Sequence, residues 1–473
     1  MKKPLTFVCA LVSAGAALAS PAEHPEVRGA LAIVDAWIEG VRAYDRVPGI
    51  SVGFVVDQDM LFSKGYGYAN VRRKRPADAD TIYSVCSISK LFTSIGVMQL
   101  RDAGQLTLRD PVADHLPWFS LEPLDGNPAR IKGLLTHSAG LPRESDFPYW
   151  LDEKFPFPTS AQIVERLSDQ QMLYPSSSLF QYSNLGMALA GEIVAARSGE
   201  AYEDYVRAHI LDPLEMADTR PNFPEELHGK QMALGYRGLL RDGKREPLPP
   251  FHTRGIAAAA GFTSTVNDLA RFASWQFRTL AGQESDVLGG ETLKEMHQVA
   301  WVDPDWETTW GLGFAVSEVA GNTVVSHGGG CPGYITSFSM VPKHRLAAIV
   351  LTNAADGPAG KITVSLLKTV ATALQKVGEP AEEPPVDLTL FEGNYGTRIW
   401  GGEVALRAWG PHLVGVELPS DEIDDLVRLK HVSGDTFVRV TDDGETREQW
   451  LFQRDPEGNL NGVKRHSNVY ERL

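Results

Sequence analysis

The chain has 473 residues, with 45 lysines and arginines against 60 aspartates and glutamates, a net charge of −15. That length holds two or three domains, and a content of 43% hydrophobic and 22% charged residues is that of an ordinary soluble globular protein. The acidic balance argues against nucleic acid and against an anionic membrane surface as partners.

At the N-terminus, Lys2 and Lys3 precede an apolar, small-residue run over 5–19, and Ala17-Leu18-Ala19 fits a small-x-small cleavage site. The expectation is a signal peptide over 1–19 and a periplasmic or secreted mature protein with no stable membrane anchor. The run is short for a transmembrane helix, and no later run qualifies. Cys9 lies inside it, after Val8, and does not read as a lipid-attachment cysteine. Cleavage would leave Cys86 and Cys331, and in an oxidising compartment a lone pair invites a disulfide. The alternative is two buried free thiols.

Residues 50–56 and 61–68 are strand-like and are separated by the turn Asp57-Gln58-Asp59. The basic run Arg72-Arg73-Lys74-Arg75 reads as a solvated turn. Next comes Ser87-Ile88-Ser89-Lys90, which puts a hydroxyl and an amine one helical turn apart. Ile88, Leu91, Phe92, Ile95 and Met98 recur at helical spacing, so this helix has a buried face. An amine with a lowered pKa can take the serine proton, and free N–H groups in the first turn favour developing negative charge. Taken alone, the tetrad is weak, since a polar helix start followed by a solvated lysine looks the same.

Residues 103–116 read as loop. The stretch 143–158 is an aromatic loop, with Phe147, Tyr149, Trp150, Phe155 and Phe157, able to line a cleft or to pack on the domain. Helices are expected from 161, over 185–197 and 202–210, and over 266–280 with Asn267 or Asp268 near the start. Tyr182-Ser183-Asn184 precedes one of them. Residues two apart in an extended segment share a side, so Tyr182 and Asn184 can face one cavity. A tyrosine there could be held as a phenolate base near Lys90, and an asparagine amide could orient a carbonyl; a buried aromatic plus a helix cap is the bland alternative.

Strands are expected over 323–326, 335–341 and 346–352, and a closing helix over 362–375. His327-Gly328-Gly329-Gly330 follows the first of these strands. Its glycines let a substrate lie against the strand edge and free an N–H, that of Gly330, to join the Ser87 N–H in an oxyanion hole; a glycine-rich turn ending the strand is the alternative. Strands at both ends with helices between suggest one α+β unit over 20–377. Residues 378–387 form an acidic, proline-rich linker, and 388–473 alternate apolar and polar residues as a small all-β domain.

Three weak motifs in this order resemble the serine β-lactamase and penicillin-binding superfamily, within it the branch of class C β-lactamases, DD-peptidases and esterases. The matching positions are Ser87 and Lys90, Tyr182 and Asn184, and His327, Gly328 and Gly329. Leu134 to Pro142, Leu211 to Met216 and Trp310 to Phe314 resemble the family's linking segments, and the likeness spans roughly 28–375. It implies an antiparallel sheet flanked by helices, with an all-helical subdomain. It also implies a serine hydrolase in which Ser87, Lys90 and Tyr182 perform acyl transfer while Asn184 and His327 position the substrate. In that family the segment holding His137 is structural. Histidine at 327, where most true β-lactamases have lysine, is more typical of DD-peptidases, D-aminopeptidases and esterases. The C-terminal domain resembles the lipocalin-like barrels of some members and offers a route to homo-oligomers. The same architecture brings Cys86 and Cys331 close, and class A carbapenemases carry a disulfide at these topological positions.

The expected substrate is therefore a small peptide with D-residues or a compact ester. The runner-up activity is β-lactam hydrolysis, and the reading of a different class is a penicillin-binding sensor or scaffold without turnover. No metal cluster or nucleotide motif stands in the chain, so no cofactor or metal is implied.

Overall fold

In the computed structural model, which describes residues 21–473 apart from 153 and 381, apolar strands from both ends of the first unit meet in one sheet. Gly49–Val56, nearly all buried, pairs antiparallel with Leu346–Thr352 on one side and with Asp59–Asn70 on the other. Tyr334–Val341, the glycine strand Asn322–Cys331 and Ala315–Val319 continue the sheet on the Leu346–Thr352 side. Short edge strands bring the described total to nine. The expected signal segment 1–19 lies outside the described residues.

Two long helices cover one face of the sheet: Pro25–Tyr44, not anticipated above, and Ala359–Leu374. The other face carries the helical part of the unit. At its centre is the serine helix Ser89–Asp102, which is buried almost all round rather than on a single face. Asn184–Ser198 packs on it, capped at one end by the Ser183 hydroxyl and at the other by Gly199 in the left-handed conformation. Val266–Leu280 is capped by Thr265, whose side chain accepts the Asp268 N–H, and Asn267 and Asp268 lie in its first turn as expected. Within the expected loop 103–116 the chain forms one short helical turn, Val112–His115.

Eight antiparallel strands over 393–472 close into a barrel, with Tyr395 and Gly396 joining Arg472 and Glu471. Leu406, Leu413, Leu429, Phe437, Trp450 and Phe452 form its core. The barrel does not hang from the proline-rich segment as a separate body. Ala405, Trp409, Val414, Val416 and Leu418 share a buried cluster with Trp37 and Val34 of the N-terminal helix and Ile362 of Ala359–Leu374. Trp409 Nε1 donates to Glu26, and Trp37 Nε1 to Ser420. Gly29 permits a close backbone approach, since a Cβ there would lie 2.5 Å from Trp409 Cα.

Candidate active site

Ser87 lies in the short 3-10 turn Cys86–Ile88 that leads into the serine helix. Cys86 holds φ +51, a left-handed conformation rare for a residue with a side chain. A disulfide joins Cys86 to Cys331 at the end of the glycine strand, with a Cα–Cα distance of 5.8 Å. The Ser89 hydroxyl donates to the Cys86 carbonyl. Gly329 presses on the same turn: a Cβ at that position would lie 2.2 Å from the Val85 carbonyl oxygen and 2.3 Å from Thr336 Oγ1. Gly328, Gly329 and Gly330 lie inside the strand, paired with Ser337, Thr336 and Ile335. The glycines thus form the strand edge itself rather than a turn that ends it.

One turn along the helix, the fully buried Lys90 places Nζ 3.0 Å from Ser87 Oγ, 2.8 Å from Asn184 Oδ1 and 2.8 Å from the Ala259 carbonyl oxygen. Burial pushes its pKa well below the usual lysine range; Glu144 opposes this and Arg143 adds to it. The Tyr182 ring stands 4.8 Å from Nζ, and its hydroxyl interacts with Ser87. Burial raises the Tyr182 phenol to about 12, with Ser87 and Arg143 opposing. The resting form is therefore a neutral phenol, not the phenolate considered above. Tyr182 and Asn184 converge on Lys90, but not along one extended segment. The backbone is extended at Ser183 and helical from Asn184, and with Ser183 as the cap the Asn184 amide is left for Lys90.

His327 is buried, and its Nδ1 lies 2.6 Å from the Gly328 carbonyl oxygen. That oxygen only accepts, so Nδ1 carries the proton and Nε2 is a buried lone pair without a hydrogen-bond partner. Burial first and Lys90 second lower its pKa to about 3, so it carries no charge at neutral pH. His137 holds φ +57 and accepts the Ser183 N–H at Nδ1, as befits a turn residue. Its ring also stands 4.3 Å from the Tyr182 ring, where it forms a wall of the site. Burial, then Lys90, His327 and Arg143, keep it neutral.

A cleft of about 730 Å³ opens beside Ser87, Asn184 and Gly330. The aromatic loop does both things expected of it. Tyr149 and Phe157 stack in the interior with centroids 4.8 Å apart, while Trp150 and Phe155 line the cleft. Arg143 also lines it, with its guanidinium over the Tyr182 face at 5.0 Å. Sequence reasoning missed Arg143 and Glu144. They follow directly on the segment ending at Pro142, which marks their place but not their direction. Among the described residues no cluster of histidine, cysteine and carboxylate could hold a metal ion, and no helix is long and apolar enough to cross a membrane.

A part-exposed serine and tyrosine around a buried lysine, beside a glycine strand, is the arrangement of serine acyl-transfer enzymes of the penicillin-binding type. The chain belongs to the Beta-lactamase family, whose model matches residues 34–370, and is a serine hydrolase. It is 27% identical to Penicillin-binding protein 4 of Amycolatopsis lactamdurans over 378 residues, covering 76% of this chain and 95% of that one. It is 26% identical to the D-alanyl-D-alanine-carboxypeptidase/endopeptidase AmpH of Escherichia coli over 363 residues, covering 74% and 91%. Among solved structures, the octameric penicillin-binding protein homologue from Pyrococcus abyssi superposes with a TM-score of 0.64 at 26% identity. That match covers 92% of this chain and 98% of the other.

Proposed function

We propose that the protein is an exported hydrolase acting through a Ser87 acyl-enzyme on small D-residue peptides, of carboxypeptidase or aminopeptidase type, or on compact esters. The observation that carries this reading is the Lys90 amine, fully buried, 3.0 Å from Ser87 Oγ. A neutral amine has two N–H donors and one lone pair. Asn184 Oδ1 and the Ala259 carbonyl take the donors, which leaves the lone pair for the Ser87 proton.

Ser87 Oγ attacks the carbonyl carbon while its proton passes to Lys90. The N–H groups of Ser87 and Gly330 hold the oxyanion. Tyr182, neutral at rest, hands a proton to the leaving amine or alcohol and is reprotonated from Lys90. Water then attacks the acyl-enzyme and loses its proton along the same path in reverse. Neutral His327 offers no charge to a substrate carboxylate. As a neutral ring it could position a substrate only as a hydrogen-bond acceptor, and Arg143 and Arg237 supply the positive charge in the cleft. A group without a cation at 327 suits peptide and ester substrates better than β-lactams, which places β-lactam hydrolysis second. Like the octameric Pyrococcus homologue, which it matches over 92% of its length, the chain would assemble into oligomers.

The test is time-resolved mass spectrometry of the wild type and of Ser87→Ala with three substrates: p-nitrophenyl acetate, a D-alanyl-D-alanine peptide and benzylpenicillin. Turnover of ester or peptide, with a transient adduct on Ser87 and none in the variant, is the expected result. Rapid turnover of penicillin would move the assignment to a β-lactamase, and a lasting penicillin adduct without turnover would move it to a sensor. A fully active Ser87→Ala would overturn the mechanism.

A further inference from the structure

Glu144 has no part in the steps above, yet it sits one side chain from the catalytic amine. Its Oε1 and Oε2 lie 2.8 and 3.1 Å from Asn184 Nδ2, and the other end of that amide, Oδ1, accepts from Lys90 at 2.8 Å. Tyr149 donates its hydroxyl to Glu144 Oε2 at 2.5 Å, and Arg143 Nε stands 3.3 Å from Oε1. We propose that Glu144 is a positioning residue for acyl transfer, fixing the Asn184 amide so that its oxygen, not its nitrogen, faces Lys90. The proposal rests on the Ser87 acyl-enzyme reading.

An asparagine side chain is nearly symmetric in shape and opposite in sense at its two ends, so its neighbours decide which end points where. A carboxylate only accepts, and so demands the NH2 end. With that end held by Glu144, Oδ1 takes one of the two N–H groups of a neutral Lys90, the Ala259 carbonyl takes the other, and the lone pair is left on Ser87. Were the amide reversed, Nδ2 would donate to the amine and draw its lone pair away from Ser87. Tyr149, buried and stacked on Phe157, holds the carboxylate in place from behind.

Several charged or titratable groups surround Lys90. Ser87 lies in the 3-10 turn that leads into the Lys90 helix; Tyr182 and Asn184 come from the segment before Asn184–Ser198 and its first residue. His137, Arg143 and Glu144 come from the loop after 136, and His327 from the glycine strand. Both histidines are neutral. Of the two charged groups acting on Lys90, Glu144 favours its cation and Arg143 disfavours it. Removing the Glu144 charge therefore makes Lys90 easier to keep neutral but a weaker base.

The experiment compares Glu144→Gln and Glu144→Asp with wild type in hydrolysis of p-nitrophenyl acetate, as kcat and kcat/KM across pH, with thermal midpoints to confirm folding. Glu144→Gln keeps the shape but offers both a donor and an acceptor. The expected result is a loss of ~10-fold or more in plateau kcat with KM within ~2-fold, the signature of a group acting on the reaction rather than on binding. The acid limb of kcat/KM should also move to lower pH. Glu144→Asp, which keeps the carboxylate, should leave the limb in place and recover part of kcat. Wild-type kcat in Glu144→Gln would overturn the proposal, as would an aspartate variant no better than glutamine. A limb shift with kcat unchanged would leave only a through-space charge and also overturn it. The Ser87→Ala control separates the two claims: if it is inactive while Glu144→Gln is silent, only the role of Glu144 falls.

Discussion

Replacing Gly29 by alanine should destabilise this protein, against the usual sense of that change. Gly29 is interior to the helix Pro25–Tyr44, where alanine ordinarily gains about 1 kcal/mol over glycine. A Cβ there would meet Trp409 Cα at 2.5 Å and its Cβ and Cγ at 2.6 Å. Carbon pairs rest at ~3.5–4.0 Å, so the overlap is on the order of 1 Å. The atoms struck are backbone and the root of an indole, which no rotamer change moves aside. Helix and barrel strand must part along the seam that buries Trp37, Val416 and Leu418. Overpacking of a rigid contact costs ~3 kcal/mol at the upper end of its usual range. Set against the propensity gain, that leaves a net loss of about 2 kcal/mol. Gly360, in the first turn of Ala359–Leu374 and with nothing within 4 Å of a Cβ, is the matched control. Its change to alanine should stabilise by up to ~1 kcal/mol. Urea midpoints read both variants. A Gly29→Ala midpoint that rises alongside that of Gly360→Ala would refute the rigid seam.

Truncation after Gly378 should give a protein that aggregates or loses its thermal transition, because the apolar surface around Trp37 and Ile362 would face water; a soluble, cooperatively melting fragment would count against this. Thiol titration of denatured, unreduced protein spanning residues 20–473 should find no free thiol. The Cys86→Ser, Cys331→Ser double variant should lose ~2–5 kcal/mol of stability, together with activity, since the left-handed Cys86 next to Ser87 loses its tether. Stability should also fall on acidification. His137, His297 and His327 have folded pKa values depressed by burial, the last two to about 3. Below their unfolded value of ~6.5 the unfolded chain binds more protons. Each histidine then removes up to ~1.4 kcal/mol per pH unit as pH falls from ~6.5 toward the folded values. Urea midpoints at pH 7.5, 6 and 5 should drop in that order, and a flat series would exclude neutral burial.

Motif order exposed the family and the type of site because each motif marks a backbone event: a helix start, a helix cap, a strand edge. The serine helix was legible through Ile88, Leu91, Phe92, Ile95 and Met98, all fully buried. The N-terminal helix was overlooked although Ala30, Ile33, Val34, Trp37, Ile38 and Val41 recur at helical spacing; what that pattern does not show is that they are covered by the sheet on one side and by the barrel on the other. The proline-rich segment misled for a related reason: composition reports local stiffness, not whether the two units on either side share a core. Glu144 was invisible for a third. Its importance lies in a contact with Asn184, 40 residues away, and no local pattern marks which of many surface-type carboxylates turns inward.

The seam between Pro25–Tyr44 and the barrel joins residues separated by 383 positions, as in the Trp37–Ser420 and Glu26–Trp409 contacts. The sheet repeats this at shorter range, since Gly49–Val56 is hydrogen-bonded to Leu346–Thr352. A chain leaving the ribosome N-terminus first therefore makes a helix whose outer apolar side has no partner until the barrel strands, 383 positions further on at Trp409, have emerged. Such non-local topologies fold slowly and expose apolar surface while they wait. Maturation of this protein is thus bound to the completion of its last strands: a stalled or clipped product would lack the covering of its first helix, and would be a substrate for chaperones and proteases rather than a smaller working enzyme.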